Sequence, residues 1–365
     1  MKFREKWEMG KVVWIDILTP KQGNLFSVLS KRLTKQGYKL VLTTRLYREV
    51  NQLLEAHGLK ASTIGKHGGA RIEEKLSASA ERIAKLARFI CRRNPDLALS
   101  FSSPEAARVA FGLGIPHLCI SDSPHAEAVS KLTIPLSERL FTPAVIPKKE
   151  WLGYGISAGR IVQYDALDPI IWLRSFRPDR GTLIQDGIKS QRKIVTIRLE
   201  ESSAAYLLAR KREKLLNTVG MIQEMLTNKL EADIVALPRY DYQAEILRRE
   251  FKNDIVIPKT LVNGPNLLSF SSVFIGGGGT MTAEAAMLGI PSISCFPDKP
   301  TIIEEFLISS GLVVRETDPI RIAKRAMRIL DDETYRRRIQ DRAKGFVERM
   351  EDPIEVILRE LKHFK

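Results

Sequence analysis

The sequence predicts an α/β protein built from two doubly wound, all-parallel sheets. Three observations carry that prediction. Short β-branched runs alternate with helix-length amphipathic segments along most of the chain. The alternation halts once and restarts. In the second half a strand-like run ends directly in four glycines that open a helix. At 365 residues the chain is long enough for two domains of ordinary size.

In the first half, Lys11–Leu18 (KVVWIDIL) reads as a strand that stops at Thr19-Pro20. Phe26–Lys35 has helical spacing and ends before Gly37. Tyr38–Thr44 is the next strand and Leu46–His57 a helix ended by Gly58. Ala61–Ile64 is a short strand before the loop Gly65-Lys66-His67-Gly68-Gly69, and Ile72–Arg93 a long amphipathic helix. Asp96–Phe101, Pro116–Ser121, Leu140–Thr142 and Ile161–Tyr164 complete the strands, with a Pro-initiated helix at Pro104–Leu113.

Asp165–Arg180 lacks periodicity and carries Asp168-Pro169 and Arg177-Pro178, so it reads as a linker that packs. The pattern then resumes. Strands are expected at Lys193–Leu199, Ala232–Pro238, Asp254–Ile257, Ser272–Ile275, Pro291–Phe296 and Leu312–Arg315. Helices are expected at Ala209–Leu230, Tyr242–Phe251, Thr280–Leu288 and Ile302–Ser309, with a helical tail from Pro319. The expected division is an N-terminal domain over 1–164, a linker over 165–190, a second domain over 191–350 and a C-terminal helix over 351–365. Parallel sheets bind ligands at the carboxyl ends of their strands. Two such domains facing a cleft place the chemistry in the loops after the strands.

Composition narrows the function classes. Hydrophobic residues at 44% and charged residues at 28% exclude disorder and low-complexity repeats. No apolar run reaches the roughly 20 residues of a membrane span. Met1–Gly10 lacks the apolar core of a signal peptide, so a cytoplasmic location is expected. The net charge of +15 favours anionic partners, although a solvated Arg-rich surface would give the same balance. Cys91, Cys119 and Cys295 are far apart and form neither a disulfide framework nor a metal knuckle.

The strongest chemical signal is Ile275–Pro291 (IGGGGTMTAEAAMLGIP). Glycines let backbone N–H groups approach an anion closely, and the helix start adds a favourable dipole. That combination suits a diphosphate. Glu284, about one turn into the helix, suits a pair of ribose hydroxyls. A glycine turn that only permits close strand–helix packing is the bland reading. No Lys-Ser/Thr follows the glycines, so this is not a Walker A loop.

The segment GGGGTMTAEAAMLGIPSIS resembles the nucleotide-sugar motif of GT-B proteins, a group that includes GT-B glycosyltransferases and the non-hydrolysing UDP-N-acetylglucosamine 2-epimerases. The whole chain beyond its first ten residues is similar to a largely archaeal family, domain of unknown function family 354. The segments WIDILTP, IGKHGG, SPEAARVAFGLGIP, SDSPHAE and RLEESSAAY carry that likeness. The resemblance implies a GT-B-like fold in which the C-terminal domain binds the nucleotide-sugar donor and the N-terminal domain offers the acceptor side. It implies that Gly276, Gly277, Gly278, Gly279 and Thr280 hold the diphosphate and that Glu284 contacts the ribose.

Two departures matter. After the first strand the family commonly shows a His-Pro segment, whereas this chain has Thr19-Pro20-Lys21-Gln22-Gly23-Asn24. Gly23 and Asn24 remain candidates for substrate binding there. The 2-epimerases carry His-Arg-Arg-Glu after the first strand of the second domain, whereas this chain has Arg198-Leu199-Glu200-Glu201-Ser202. Arg198 cannot serve as a general base, which counts against epimerisation and suits neutralisation of a leaving diphosphate. Glu201 and Ser202 are further substrate-binding candidates.

Arg198, Arg239 and Lys259 end three successive predicted strands, where cations can stabilise a departing nucleoside diphosphate without a metal or other cofactor. They can equally be surface charges at strand ends. In the N-terminal half, Asp122 and His125 follow a buried strand and are candidates for the base that deprotonates an acceptor hydroxyl. Asp122 could instead orient His125, or cap a helix starting near Pro124. His67 in its glycine loop is another candidate, with an incidental turn histidine as the alternative. Ile83–Arg93 is basic and amphipathic, which suits either peripheral contact with an anionic membrane or a core-facing stripe.

The expected function is metal-independent transfer of a sugar from a nucleotide-diphosphate sugar, UDP-linked by resemblance, to an acceptor the sequence does not reveal. The alternatives are a 2-epimerase-like sugar-nucleotide epimerase and a non-catalytic nucleotide or nucleic-acid binding protein. The charge admits nucleic acid, but no zinc finger, aromatic RNA motif or recognition module is present.

Overall fold

The computed structural model describes residues 10–69, 71–189, 191–199, 211–258 and 262–364, with backbone alone at 48 and 211–216. The chain divides into two compact units. One runs to Trp172 and resumes at Glu351; the other is Leu173–Met350.

The first unit holds a seven-stranded sheet made of β1 (Val12–Ile17), β2 (Lys39–Leu46), β3 (Ser62–Lys66), β4 (Leu97–Phe101), β5 (His117–Ile120), β6 (Arg139–Pro143) and β7 (Ile161–Tyr164). Its spatial order is β3-β2-β1-β4-β5-β6-β7, and every pair is parallel. The second unit holds β8 (Lys193–Arg198), β9 (Ala232–Leu237), β10 (Ile255–Val256), β11 (Val273–Gly276), β12 (Ser292–Ser294) and β13 (Val313–Arg315), ordered β10-β9-β8-β11-β12-β13 and again all parallel. Strand order reverses between β1 and β4 in one sheet and between β8 and β11 in the other. Chains diverge at these switch points and leave a crevice at the strands' carboxyl ends.

Helices cover both faces. Val195, Ile197, Ile234 and Ile275 pack with Ile222, Met225, Ile322 and Ala326 on one face of the second sheet. Ile194 and Val235 turn to the other, against Leu183, Ile188 and Leu267. This period-two division explains why the strands read as continuous apolar runs: each residue type meets a helix on its own side. In the first unit Trp14 and Ala98 meet Leu86, Ile90, Val109 and Ala110. Leu86 and Ile90 belong to helix Ile72–Cys91, so the apolar stripe that a membrane-resting face would need there is occupied by the core.

Several elements differ from the expectation. β3 extends to Lys66, taking Gly65 and Lys66 out of the predicted loop. The stretch expected as a linker carries helices Ile170–Leu173 and Arg180–Gln185. The tail is three helices, Pro319–Asp331, Glu333–Glu348 and Pro353–Leu361. The last returns to the first unit, where Arg32 pairs with Asp352 at 3.1 Å and Arg139 with Glu360 at 3.4 Å. Among the described residues no helix is long and apolar enough to cross a membrane.

Candidate functional site

In the second unit the parallel register sets Gly276 directly opposite Arg198, across the switch point. The strand then breaks into the bend Gly277–Gly279, and helix Thr280–Met287 follows. Three of the four glycines have a local cause. A Cβ on Gly276 would lie 2.7 Å from the Phe274 ring. Gly278 and Gly279 adopt φ of +79° and +80°, a left-handed conformation that strains other residues. The Cys295 N–H donates to the Gly276 carbonyl at 2.9 Å and pins the start of the bend. No acceptor among the described residues takes the N–H groups of Gly278, Gly279 and Thr280. Gly279 is exposed and Gly278 half-buried, so those donors face a solvent-accessible bend. An anion could be held there by N–H groups and the helix dipole.

Two buried side chains stand behind the bend. Thr282 is 1% exposed, and its hydroxyl has no partner. Glu304 is 3% exposed and directs a carboxylate oxygen at Gly278. Glu284 is also buried, with its carboxylate against Gly264 at the start of helix Gly264–Ser269. Periodicity marks no element there; Asn263 caps the helix and Pro265 lies in its first turn.

Arg198 directs Nη1 toward the Leu237 and Pro238 carbonyls, each at 3.4 Å. Arg239 donates from Nε to the Leu199 carbonyl at 3.2 Å, while its backbone N–H donates to Gln243 Oε1 at 2.8 Å. The two guanidinium groups are thus anchored around the ends of β8 and β9. Glu201, Ser202 and Lys259 lie outside the described residues.

In the first unit the structure assembles a cluster that the sequence only half revealed. Thr19 caps helix Pro20–Lys35, which places Lys21 in the first turn. Lys21 Nζ lies 2.5 Å from Asp122 Oδ2 and 2.5 Å from Asp168 Oδ2, and 4.2 Å from the Phe101 ring centroid. Tyr164 donates its hydroxyl to the other oxygen of Asp168. Asp168 is 2% exposed. Burial pushes its pKa up, the Asp122 charge adds to that, and Lys21 offsets only part, so the net shift is upward. Asp122 is also penalised by burial, but Lys21 and the Ser123 hydroxyl outweigh it and lower its pKa. Two carboxylates sharing one ammonium therefore diverge, one held ionised and the other retaining its proton more readily.

This geometry replaces two alternatives for Asp122. Helix Glu127–Thr133 is capped at Ala126, so Asp122 does not cap it. Asp122 spends its oxygens on Lys21 and Ser123, and no hydrogen bond joins it to His125. His125 lies at the surface of the turn; desolvation by the adjoining protein lowers its pKa, against the pull of Asp122. His67 is exposed, stacks on Tyr47 at 5.3 Å and accepts the Gly69 N–H at Nδ1. Gly23 is buried against Leu53, and Asn24 Oδ1 lies 3.1 Å from His57 Nε2. Contacts inside the unit thus account for both of these residues.

Beneath the first switch point lies a second buried network. Arg82 reaches both oxygens of Asp16, at 3.0 and 2.6 Å, and Thr43 and Ser103 donate to the same carboxylate. Burial raises the Asp16 pKa, but Arg82 and these hydroxyls bring it below the usual range. The network fixes the ends of β1, β2 and β4 relative to one another.

A family model described as a protein of unknown function, DUF354, matches residues 11–363. The chain belongs to that family. A further relative, an uncharacterized protein of Methanocaldococcus jannaschii, is 31% identical over 312 residues, covering 84% of this chain and 88% of the relative. Among solved structures, the UDP-GlcNAc 2-epimerase of Neisseria meningitidis, bound to UDP-GlcNAc, is similar with a TM-score of 0.76 and 16% identity, over 96% of this chain and 100% of that one. The UDP-GlcNAc 2-epimerase of Methanocaldococcus jannaschii, in complex with UDP-GlcNAc and UDP, gives 0.73 and 16% over 96% and 99%. A spinosyn rhamnosyltransferase complexed with spinosyn aglycone gives 0.62 and 13% over 96% and 100%. At these identities the likeness is one of fold, and that fold is GT-B-like: two parallel-sheet α/β units with a helical tail. This DUF354 chain therefore shares its architecture with enzymes that act on UDP-sugars and with GT-B glycosyltransferases.

Proposed function

We propose that the chain is a UDP-sugar-dependent glycosyltransferase of the GT-B fold. The observation that carries the reading is the open glycine bend, with unpaired N–H groups at Gly278, Gly279 and Thr280, set across the register from Arg198. Neighbours of the same fold bound to UDP-GlcNAc and UDP support a UDP-linked donor.

In this reading Gly276, Gly277, Gly278, Gly279 and Thr280 cradle the diphosphate, and Glu284 takes the ribose. Arg198 and Arg239 stabilise charge on the leaving UDP, so transfer runs without a metal. Asp122, held ionised by Lys21, accepts the proton of the acceptor hydroxyl. The acceptor oxygen forms a bond to the anomeric carbon as the bond from that carbon to the phosphate oxygen breaks, and UDP departs with the electron pair. His125 and His67 contact the acceptor, and Gly23 and Asn24, in the early turns of helix Pro20–Lys35, support that side through their contacts within the unit; Glu201 and Ser202 are assigned to donor binding. Peripheral contact with an anionic membrane belongs to this reading only as a property of the acceptor.

A thermal-shift series with UDP, GDP, UMP and several UDP-sugars tests the donor assignment. Stabilisation by UDP compounds that grows with concentration is the expected result. A flat response across the series overturns it. Incubation of a stabilising UDP-sugar with the protein and a mixed acceptor extract, followed by mass spectrometry, separates a glycosylated product from an epimerised sugar nucleotide.

A further inference from the structure

Glu304 is the third residue of helix Ile302–Ser309, whose cap Thr301 accepts the Glu304 N–H at 3.3 Å. Its Oε1 accepts the Ser294 hydroxyl. Its Oε2 faces the glycine bend: a methyl group built on Gly278 would stand 3.0 Å away. No cation among the described residues pairs with this carboxylate. A buried carboxylate lacking a cation is costly unless hydrogen-bond donors surround it, and here one oxygen has Ser294 while the other looks into the bend.

The bend therefore makes two opposite demands within a few ångströms. The N–H groups of Gly278, Gly279 and Thr280 call for an anion, whereas Glu304 calls for a proton donor. At the start of the bend the Thr282 hydroxyl, buried and without a partner, lies 3.6 Å from where a Cβ of Gly276 would be. A bare diphosphate satisfies the first demand and is repelled by the second. A diphosphate esterified to a hexose satisfies both, because hydroxyl or amide N–H groups sit next to its phosphate.

We propose that Glu304 is a specificity-determining residue that reads the sugar of the donor, accepting hydrogen bonds from its hydroxyl or N–H groups. The inference rests on the nucleotide-sugar reading above and adds to it the requirement that the glycosyl part, not only the UDP, is bound here.

Isothermal titration of wild-type protein and Glu304→Gln with UDP, UDP-GlcNAc, UDP-glucose and UDP-galactose provides the test. The amide keeps the shape and removes the charge. Wild-type protein is expected to bind at least one UDP-sugar about tenfold more tightly than UDP, and Glu304→Gln to lose that advantage while holding UDP as well or better. If the ratio is unchanged in Glu304→Gln, the proposal fails and the donor reading stands. If wild-type protein binds neither UDP nor any UDP-sugar, the donor reading itself fails. Ser294→Ala, which leaves the carboxylate in place but releases one of its oxygens, serves if the glutamine variant does not fold; a reduced ratio supports the proposal and an unchanged ratio counts against it.

Discussion

Arg198, the last residue of β8, stands directly opposite Gly276, the last residue of β11. A cation and the start of a glycine bend thus share one level of the sheet, although 78 positions separate them in the chain (276 − 198). The sequence identified both residues. Only the parallel register made them neighbours.

That relationship predicts a charge-specific loss. Arg198→Gln should weaken UDP binding by about tenfold while leaving uridine binding unchanged, because only the former carries a diphosphate. Titration calorimetry with the two ligands measures the difference; an equal loss for both would assign Arg198 to the fold instead.

The bend itself is more sensitive. Gly278→Asp forces a side chain into φ of +79° and sets a second carboxylate beside Glu304. UDP-dependent thermal stabilisation should vanish, with far-ultraviolet circular dichroism reporting whether the fold persists. UDP binding at wild-type strength would remove the diphosphate assignment.

The shared lysine of the first unit makes a coupled prediction. Lys21→Met leaves Asp168 buried beside Asp122 without its cation and should cost about 3–5 kcal/mol in urea denaturation. Adding Asp168→Asn should recover part of that loss, since it removes the uncompensated charge. Strictly additive losses would mean the two side chains do not act as a unit.

His117 predicts a pH effect. It is 1% exposed, and burial pushes its pKa down to about 4, against a small opposing effect of Asp16. Ser137 gives its hydroxyl proton to the Thr133 carbonyl, so His117 Nδ1 carries the proton toward Ser137 and Nε2 accepts from Ser100. The folded pKa lies below the unfolded one, so the unfolded chain binds the extra proton first. The neutral imidazole's contribution is complete above about pH 6.5 and is lost as pH falls toward 4, at up to about 1.4 kcal/mol per pH unit. In His117→Gln the slope of stability against pH over that window should fall by one proton, as read from denaturation midpoints at successive pH values.

Local patterns sufficed wherever one element satisfied its own chemistry. The strand Ile161–Tyr164 and the helix Ile302–Ser309 occur at the residues their periodicity marks. So does the glycine bend, because positive φ at Gly278 and Gly279 and the start of a helix are properties of adjacent residues. Helices Ile170–Leu173 and Gly264–Ser269 escaped notice because each is a turn or two long and shows no period.

By itself, then, the sequence determined the two parallel sheets, the glycine bend and the cations at the strand ends. These follow from hydrophobic periodicity and backbone conformation, which act over a few residues. Tertiary structure decided what those parts face. Lys21 gained two carboxylates 101 and 147 positions away, Glu304 was brought beneath Gly278, and helix Pro353–Leu361 was returned to the first unit. Charges buried at such separations are paired or left unpaired by the packing of whole elements, and no spacing rule along the chain records that outcome.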